Sequence, residues 1–119
     1  MSFQQYIESV TQGASSLQIS EAWSQGRAVF GGLVAALVYE AMLKEITDGR
    51  PVRSLQISFV GPVLIDTPLE LKTEVLRHGK SVSQIMGRGI QNGQTQVTVI
   101  GSFGHAGAVS YTHLRAHET

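Results

Sequence analysis

The chain has 119 residues, 42% of them hydrophobic, with 9 basic and 9 acidic side chains and a formal net charge of zero, the size and balance of one globular domain around one core. Its basic residues are scattered instead of gathered into a phosphate-neutralising stripe, which sets nucleic acid aside as a partner. It contains no cysteine, which removes disulfides, thiolate nucleophiles and the usual zinc sets and suits a reducing cytoplasm.

The opening MSFQQYIESVTQG lacks the basic start and continuous apolar core of a signal peptide. Phe3, Tyr6, Ile7 and Val10 fall at helical spacing, predicting a short helix over Ser2 to Val10. Leu17, Ile19 and Trp23 mark a short strand leading to Gly26. Gly31 and Gly32 then permit a tight turn, and from Leu33 the Ala, Leu, Val and Met content favours a helix ending near Ile46. That helix is apolar on nearly every side, so it belongs inside a wrapper. Its apolar run is broken by Glu40 and falls short of the roughly 20 residues that span a bilayer, so no membrane segment is expected.

The wrapper follows in sequence. In VRSLQISFVGPV, Leu55, Ile57 and Phe59 alternate with polar residues, the period of a strand with one buried face. LELKTEVLR repeats the pattern with Leu69, Leu71, Thr73 and Val75. Further strands are predicted over Ser81 to Ile90 and Gln94 to Phe103, joined through Asn92-Gly93, the strongest hairpin signal in the chain. Asp66, before Thr67 and Pro68, reads as a turn residue. One buried helix followed by an antiparallel meander is an α+β layout. Residues 1–105 form the expected domain. Residues 106–119 have no apolar period, and SYTHLRAHET looks like a non-native or disordered tail.

These residues carry a resemblance. GRAVFGG (Gly26 to Gly32), RSLQISFVGPV (Arg53 to Val63), LRHGKS (Leu76 to Ser81) and IQNGQ (Ile90 to Gln94) resemble, in order and spacing, the N-terminal half of the acyl-CoA thioesterase II family, whose chains hold two hotdog domains in tandem. The likeness covers about Gly13 to Gly104. It implies a hotdog fold, in which an antiparallel sheet of about five strands wraps one long central helix. It also implies hydrolysis of fatty acyl-CoA to fatty acid and CoA, in the cytoplasm or a peroxisome, without metal or redox cofactor. A C-terminal hotdog partner is then missing, and a homodimer of this half is expected to imitate the tandem arrangement. Edge-strand closure argues for the same dimer.

The candidate chemistry begins at the helix opening. Backbone amides near Gly31, Gly32 and Leu33 lie where a helix has unused donors and a positive end, suited to a thioester carbonyl and its oxyanion. The plainer alternative is that the glycines only permit a turn. In the family, the water-activating Asp lies in the C-terminal hotdog. Ser54 stands at the corresponding position here, and its partner Gln falls near Gly101. Glu40 is a candidate base, although four residues before Lys44 it also suits an i,i+4 ion pair. Arg77, Lys80 and Ser81 offer cations and a hydroxyl to the phosphates of CoA, or form a solvated turn. Trp23 and Phe30 are candidates for lining an acyl tunnel, or for core packing. His78 has no cysteine or clustered carboxylate nearby in sequence, so a metal or triad role is not expected. A ligand-binding hotdog without chemistry is the competing reading. Hydratase chemistry ranks last, because no His with a carboxylate lies near the helix opening.

Overall fold

Ser2 caps the first helix, α1 (Phe3–Thr11), through a capping box: its hydroxyl accepts from Gln5 N–H while Gln5 Oε1 accepts from Ser2 N–H. In this computed structural model, which describes residues 1–25 and 28–105, α1 buries Tyr6 and Val10, one helical turn apart. Gly13, at φ +115°, turns the chain away from it. Tyr6 Oη accepts from Ser20 N–H at 3.0 Å, which ties the helix to the segment that follows. The tail at 106–119 and the Gly26–Arg27 part of the helix-opening motif lie outside the described residues.

A short strand β1 (Ser16–Leu17), a 3-10 turn (Glu21–Trp23) and a two-stranded ribbon of β2 (Ser24–Gln25) and β3 (Ala28–Val29) lead into helix α2 (Gly31–Leu43). The predicted strand through Leu17 and Ile19 is therefore shorter than expected. Trp23 leaves it for the 3-10 turn, where its ring meets Tyr6 edge-on at 6.3 Å. Helix α2 ends at Leu43, and two further backbone bonds, Glu45 N–H to Met42 O and Ile46 N–H to Leu43 O, carry a tight turn on to Ile46.

The sheet comprises β4 (Val52–Phe59), β5 (Leu69–His78), β6 (Val82–Gln91) and β7 (Gln94–Gly104) with β1, in the order β1-β5-β6-β7-β4, every pairing antiparallel. Each long strand lies close to its predicted span. The β6–β7 hairpin closes over Asn92 and Gly93, whose φ values of +52° and +75° match the twist of the adjoining strands. Asp66, at φ +51°, sits in a turn as expected.

Helix α2 packs on β5, β6 and β7. Its Leu33, Leu37, Val38 and Met42 are fully buried against a floor that includes Leu69, Ile85, Val97, Val99 and Phe103. At Gly87 and Gly89 the floor has no side chain, so the helix settles close: a methyl added at Gly87 would lie 2.6 Å from Val38 Cγ1 and 2.7 Å from Met42 Cγ.

Two burial expectations are corrected. Leu55, Ile57 and Phe59 form the apolar face of β4 but are 41%, 43% and 60% exposed, because β4 is the sheet edge and extends past the helix that covers its neighbours. Val75 is 42% exposed for a related reason. It lies in the half of β5 beyond the short β1 pairing, beside a register shift between Val75 and Arg77.

Candidate active site at the start of the long helix

The approach to α2 is pinned by backbone bonds. Val29 N–H donates to Val63 O at 2.8 Å and Phe30 N–H to Trp23 O at 2.8 Å, so the chain enters the helix in one orientation. Among the described residues the amides of Gly31 and Gly32 have no acceptor, whereas Leu33 N–H already donates to Phe30 O at 3.1 Å. The amide pair on offer is thus Gly31 and Gly32, and the expected share of Leu33 is reduced. No acidic side chain occupies the first turn, so the positive end of the helix is not neutralised from within.

The reason for glycine here also differs from the expectation. Positive φ occurs at Gly13, Gly49 and Gly93 but not at Gly31 or Gly32, so the pair is not needed for a tight turn. Aromatic rings crowd both positions. A Cβ at Gly31 would stand 3.1 Å from the Phe59 ring, and one at Gly32 would stand 2.8 Å from the Phe30 ring. Both rings are partly exposed, at 60% and 41%. The helix start is therefore an amide-bearing surface flanked by two phenyl groups.

Beside it opens a pocket of about 280 Å³ bounded by Val29, Gly31, Val34, Phe59, Pro62 and Val63, with no carboxylate among the described residues of its lining. Its far wall is a loop held by buried Gln91, which accepts from Leu64 N–H at 2.8 Å and donates to Leu64 O at 3.0 Å and Thr67 O at 3.2 Å. Phe59 supplies the wall for which Trp23 and Phe30 are the sequence candidates, with core packing as their alternative. Trp23 instead packs with Phe3 and Tyr6 over α1. The apolar alternation of β4 is the available signal for Phe59, although alternation alone points to a core-facing side chain.

Glu40 is not at this site. It follows Gly32 by eight residues, about 12 Å along the axis at ~1.5 Å per residue. The expected Glu40–Lys44 ion pair is absent too: among the described residues the single ion pair joins Asp48 and Arg50. Burial, and secondarily the charge of Glu40, raise the Tyr39 hydroxyl above its ordinary pKa. Ser54 is exposed on β4 opposite Ser102, and Gly101 is buried beneath Met42 and Leu55.

Arg77, Lys80 and Ser81 are exposed around an open cleft of about 470 Å³ at the β5–β6 turn. The same chain does not bring this turn to Gly31. One row across the sheet joins Phe59, Val97, Gly89 and Leu71, and another joins Val52, Phe103, Ser83 and His78. Along β4 these rows are seven residues apart, roughly 23 Å at ~3.3 Å per residue. The helix start belongs to the first row and the turn to the second.

A contact that sequence reasoning missed is Ser83 Oγ to His78 Nδ1, 2.8 Å. A Ser–His pair invites comparison with a nucleophile and its base. Ser83, however, is 1% exposed and also accepts from Arg50 Nη1 at 3.0 Å, so no carbonyl can reach it. Among the described residues no group of three or more His, Cys, Asp or Glu is placed to hold a metal ion. No described helix is long and apolar enough to cross a membrane.

Comparison with known proteins supplies the family context. The family model for the acyl-CoA thioesterase N-terminal domain matches residues 19–104. A candidate thioesterase II from Thermobifida fusca is similar in structure, with TM-score 0.69 and 23% identity over 84% of this chain and 39% of that one. A hot dog fold protein of unknown function from Alicyclobacillus acidocaldarius gives 0.68 and 20% over 76% and 34%. The PaaI protein of the E. coli phenylacetic acid degradation operon gives 0.68 and 15% over 76% and 72%. The fold is the hotdog fold. The chain spans well under half the length of the first two of these proteins. No curated protein matches it.

Proposed function

The chain belongs to the acyl-CoA thioesterase N-terminal domain family, and on that premise we propose that it binds a fatty acyl-CoA at the start of α2 as the N-terminal hotdog half of a thioesterase II type enzyme, with little hydrolysis of its own. The observation that carries the reading is the pair of amides at Gly31 and Gly32, without an acceptor among the described residues and opening beside an apolar pocket. Two N–H donors at a positive helix end suit the thioester oxygen as it gains charge, and the pocket suits the acyl chain. Hydrolysis also needs a group to activate water. The family resemblance puts Ser54 where the water-activating Asp is expected, and among the described residues the pocket lining holds no carboxylate, which favours binding without rapid turnover.

The proposed site is composite. Edge strand β4 leaves backbone groups and Leu55, Ile57 and Phe59 open, an arrangement that a second copy or the C-terminal hotdog closes. Antiparallel pairing of β4 with its symmetry mate sets the Phe59 end of one copy beside the Val52 end of the other. The Arg77–Ser81 turn of one half then approaches the helix start of its neighbour, where Arg77, Lys80 and Ser81 meet the CoA phosphates. No metal or redox cofactor enters this scheme, and its location would be the cytoplasm.

The test is release of CoA thiol from a panel of acyl-CoAs, read beside their binding measured by calorimetry. Binding with little or no release is expected. Absence of both would discard the acyl-CoA reading, and turnover at the rate of a complete enzyme would discard the half-site reading. The second reading, a ligand-binding hotdog with no hydrolytic partner, is favoured by the same missing carboxylate. It predicts that adding the C-terminal hotdog leaves thiol release at zero.

A further inference from the structure

We infer that Arg50 is a positioning residue for the Arg77–Ser81 turn: it holds the backbone from which Arg77, Lys80 and Ser81 address the phosphates of a CoA-type thioester, without touching the ligand itself. The inference rests on the reading of that turn as the phosphate contact, and it adds a residue 27 positions away in sequence that no motif connects to it.

Arg50 is 7% exposed, which is unusual for a guanidinium. Each of its N–H groups is directed at an acceptor. Nε donates to Asp48 Oδ2 at 3.0 Å and Nη2 to the same oxygen at 2.7 Å, a fork that neutralises the charge. Nη1 donates to Gly79 O and to Ser83 Oγ, both at 3.0 Å, and Nη2 also points at Lys80 O at 3.5 Å. Ser83 Oγ, which accepts from Arg50, is also hydrogen-bonded to His78 Nδ1 at 2.8 Å. One side chain thus grips both ends of the turn.

The turn is also tight from its own side. Gly79 N–H donates to Val82 O at 2.9 Å, and a Cβ at Gly79 would fall 2.6 Å from that oxygen. Gly79 is therefore held through its N–H by the hairpin and through its C=O by Arg50. Next to this fixed peptide, Arg77 and Lys80 make no ion pair among the described residues. Two cations on an ordered backbone lose less freedom on meeting a phosphate than two cations on a loose loop. Lysine cannot replace Arg50, since a single ammonium does not span Asp48, Gly79 O and Ser83 together.

The experiment compares S-decyl-CoA with S-decyl-pantetheine, which share the chain, sulfur and amides and differ in the phosphate-bearing end. Calorimetry on the 119-residue chain is expected to show the CoA form binding about tenfold tighter, the scale of one or two charge-assisted contacts. In Arg50→Lys that ratio falls toward one while pantetheine affinity holds. In Asp48→Ala, a change at a half-exposed carboxylate that tests the case where Arg50→Lys does not fold, the ratio falls about threefold. A wild-type ratio of one would remove the phosphate reading, and the inference with it. A wild-type preference kept intact in both variants, or an equal loss of both ligands, would overturn the role of Arg50 alone.

Discussion

Val38 of α2 and Gly87 of β6 meet so closely that a single methyl on Gly87 would stand 2.6 Å from Val38 Cγ1. Valine in a helix has essentially one rotamer, so its methyl cannot swing aside. Gly87→Ala is therefore expected to destabilise the domain by about 1–3 kcal/mol through overpacking. Urea unfolding monitored by circular dichroism checks this. An unchanged midpoint would mean that the helix can lift off the sheet at little cost.

Ile57 lies midway along the open face of β4 and is 43% exposed. If that edge is closed by a second copy, Ile57→Glu sets two like charges near a two-fold axis and disfavours the pairing. Sedimentation should move from a two-chain mass to a one-chain mass, with the monomer's circular dichroism retained. A wild-type protein that sediments as one chain would dismiss the pairing outright.

Arg50 holds the carboxyl of Asp48 far below its ordinary value of 3.8, to about 2, chiefly by side-chain hydrogen bonding. A folded-state pKa below the unfolded one contributes stability that is present above the unfolded value and is lost as pH falls through the folded value. The melting temperature should therefore decline between about pH 4 and pH 2 by more in the wild type than in Asp48→Asn. Parallel pH profiles for the two proteins would rule out Asp48 as a source of acid sensitivity.

Glu40 lies about two and a half helical turns beyond the start of α2, so within its own chain it cannot reach water at a thioester bound by Gly31 and Gly32. Glu40→Gln should leave any residual CoA thiol release within about twofold of wild type, an effect too small for loss of a general base, which costs roughly 100-fold or more. Complete loss of release in Glu40→Gln would make that carboxylate the base and require it to act across the dimer.

Phe59 presses on Gly31 and walls the pocket. Phe59→Ala removes that wall while leaving the amides in place, so longer acyl chains should lose affinity while the headgroup contacts remain, by about 1–2 kcal/mol for the lost apolar contact. Calorimetry with a series of S-alkyl-CoA thioethers checks this. Equal weakening across chain lengths would place the alkyl chain elsewhere.

Local signals in the sequence carried much of the fold. Alternation located β4 and β5 because side chains in a strand point to opposite faces every second residue. Asn92-Gly93 located the hairpin because both positions require positive φ. The stretch from Leu33, apolar on nearly every side, located the buried helix. These are properties of neighbours along the chain, and they survive without any knowledge of packing.

What lay beyond the sequence is a matter of which strand ends up at the edge and which residues meet across it. Alternation marks an apolar face but not what covers it, so Leu55, Ile57 and Phe59 read as core until the order β1-β5-β6-β7-β4 put their strand outside the reach of α2. Spacing suggested that Gly31 and Gly32 serve the backbone, whereas their partners are the rings of Phe59 and Phe30. Nothing local linked Arg50 to Gly79 and Ser83, 29 and 33 residues away. Sequence by itself determined the elements, the hairpin and the glycine-rich helix start, since these depend on short-range sterics and periodicity. Only the tertiary structure decided the open edge, the pocket wall and the buried guanidinium, because those depend on contacts between segments that approach one another only once the sheet has formed.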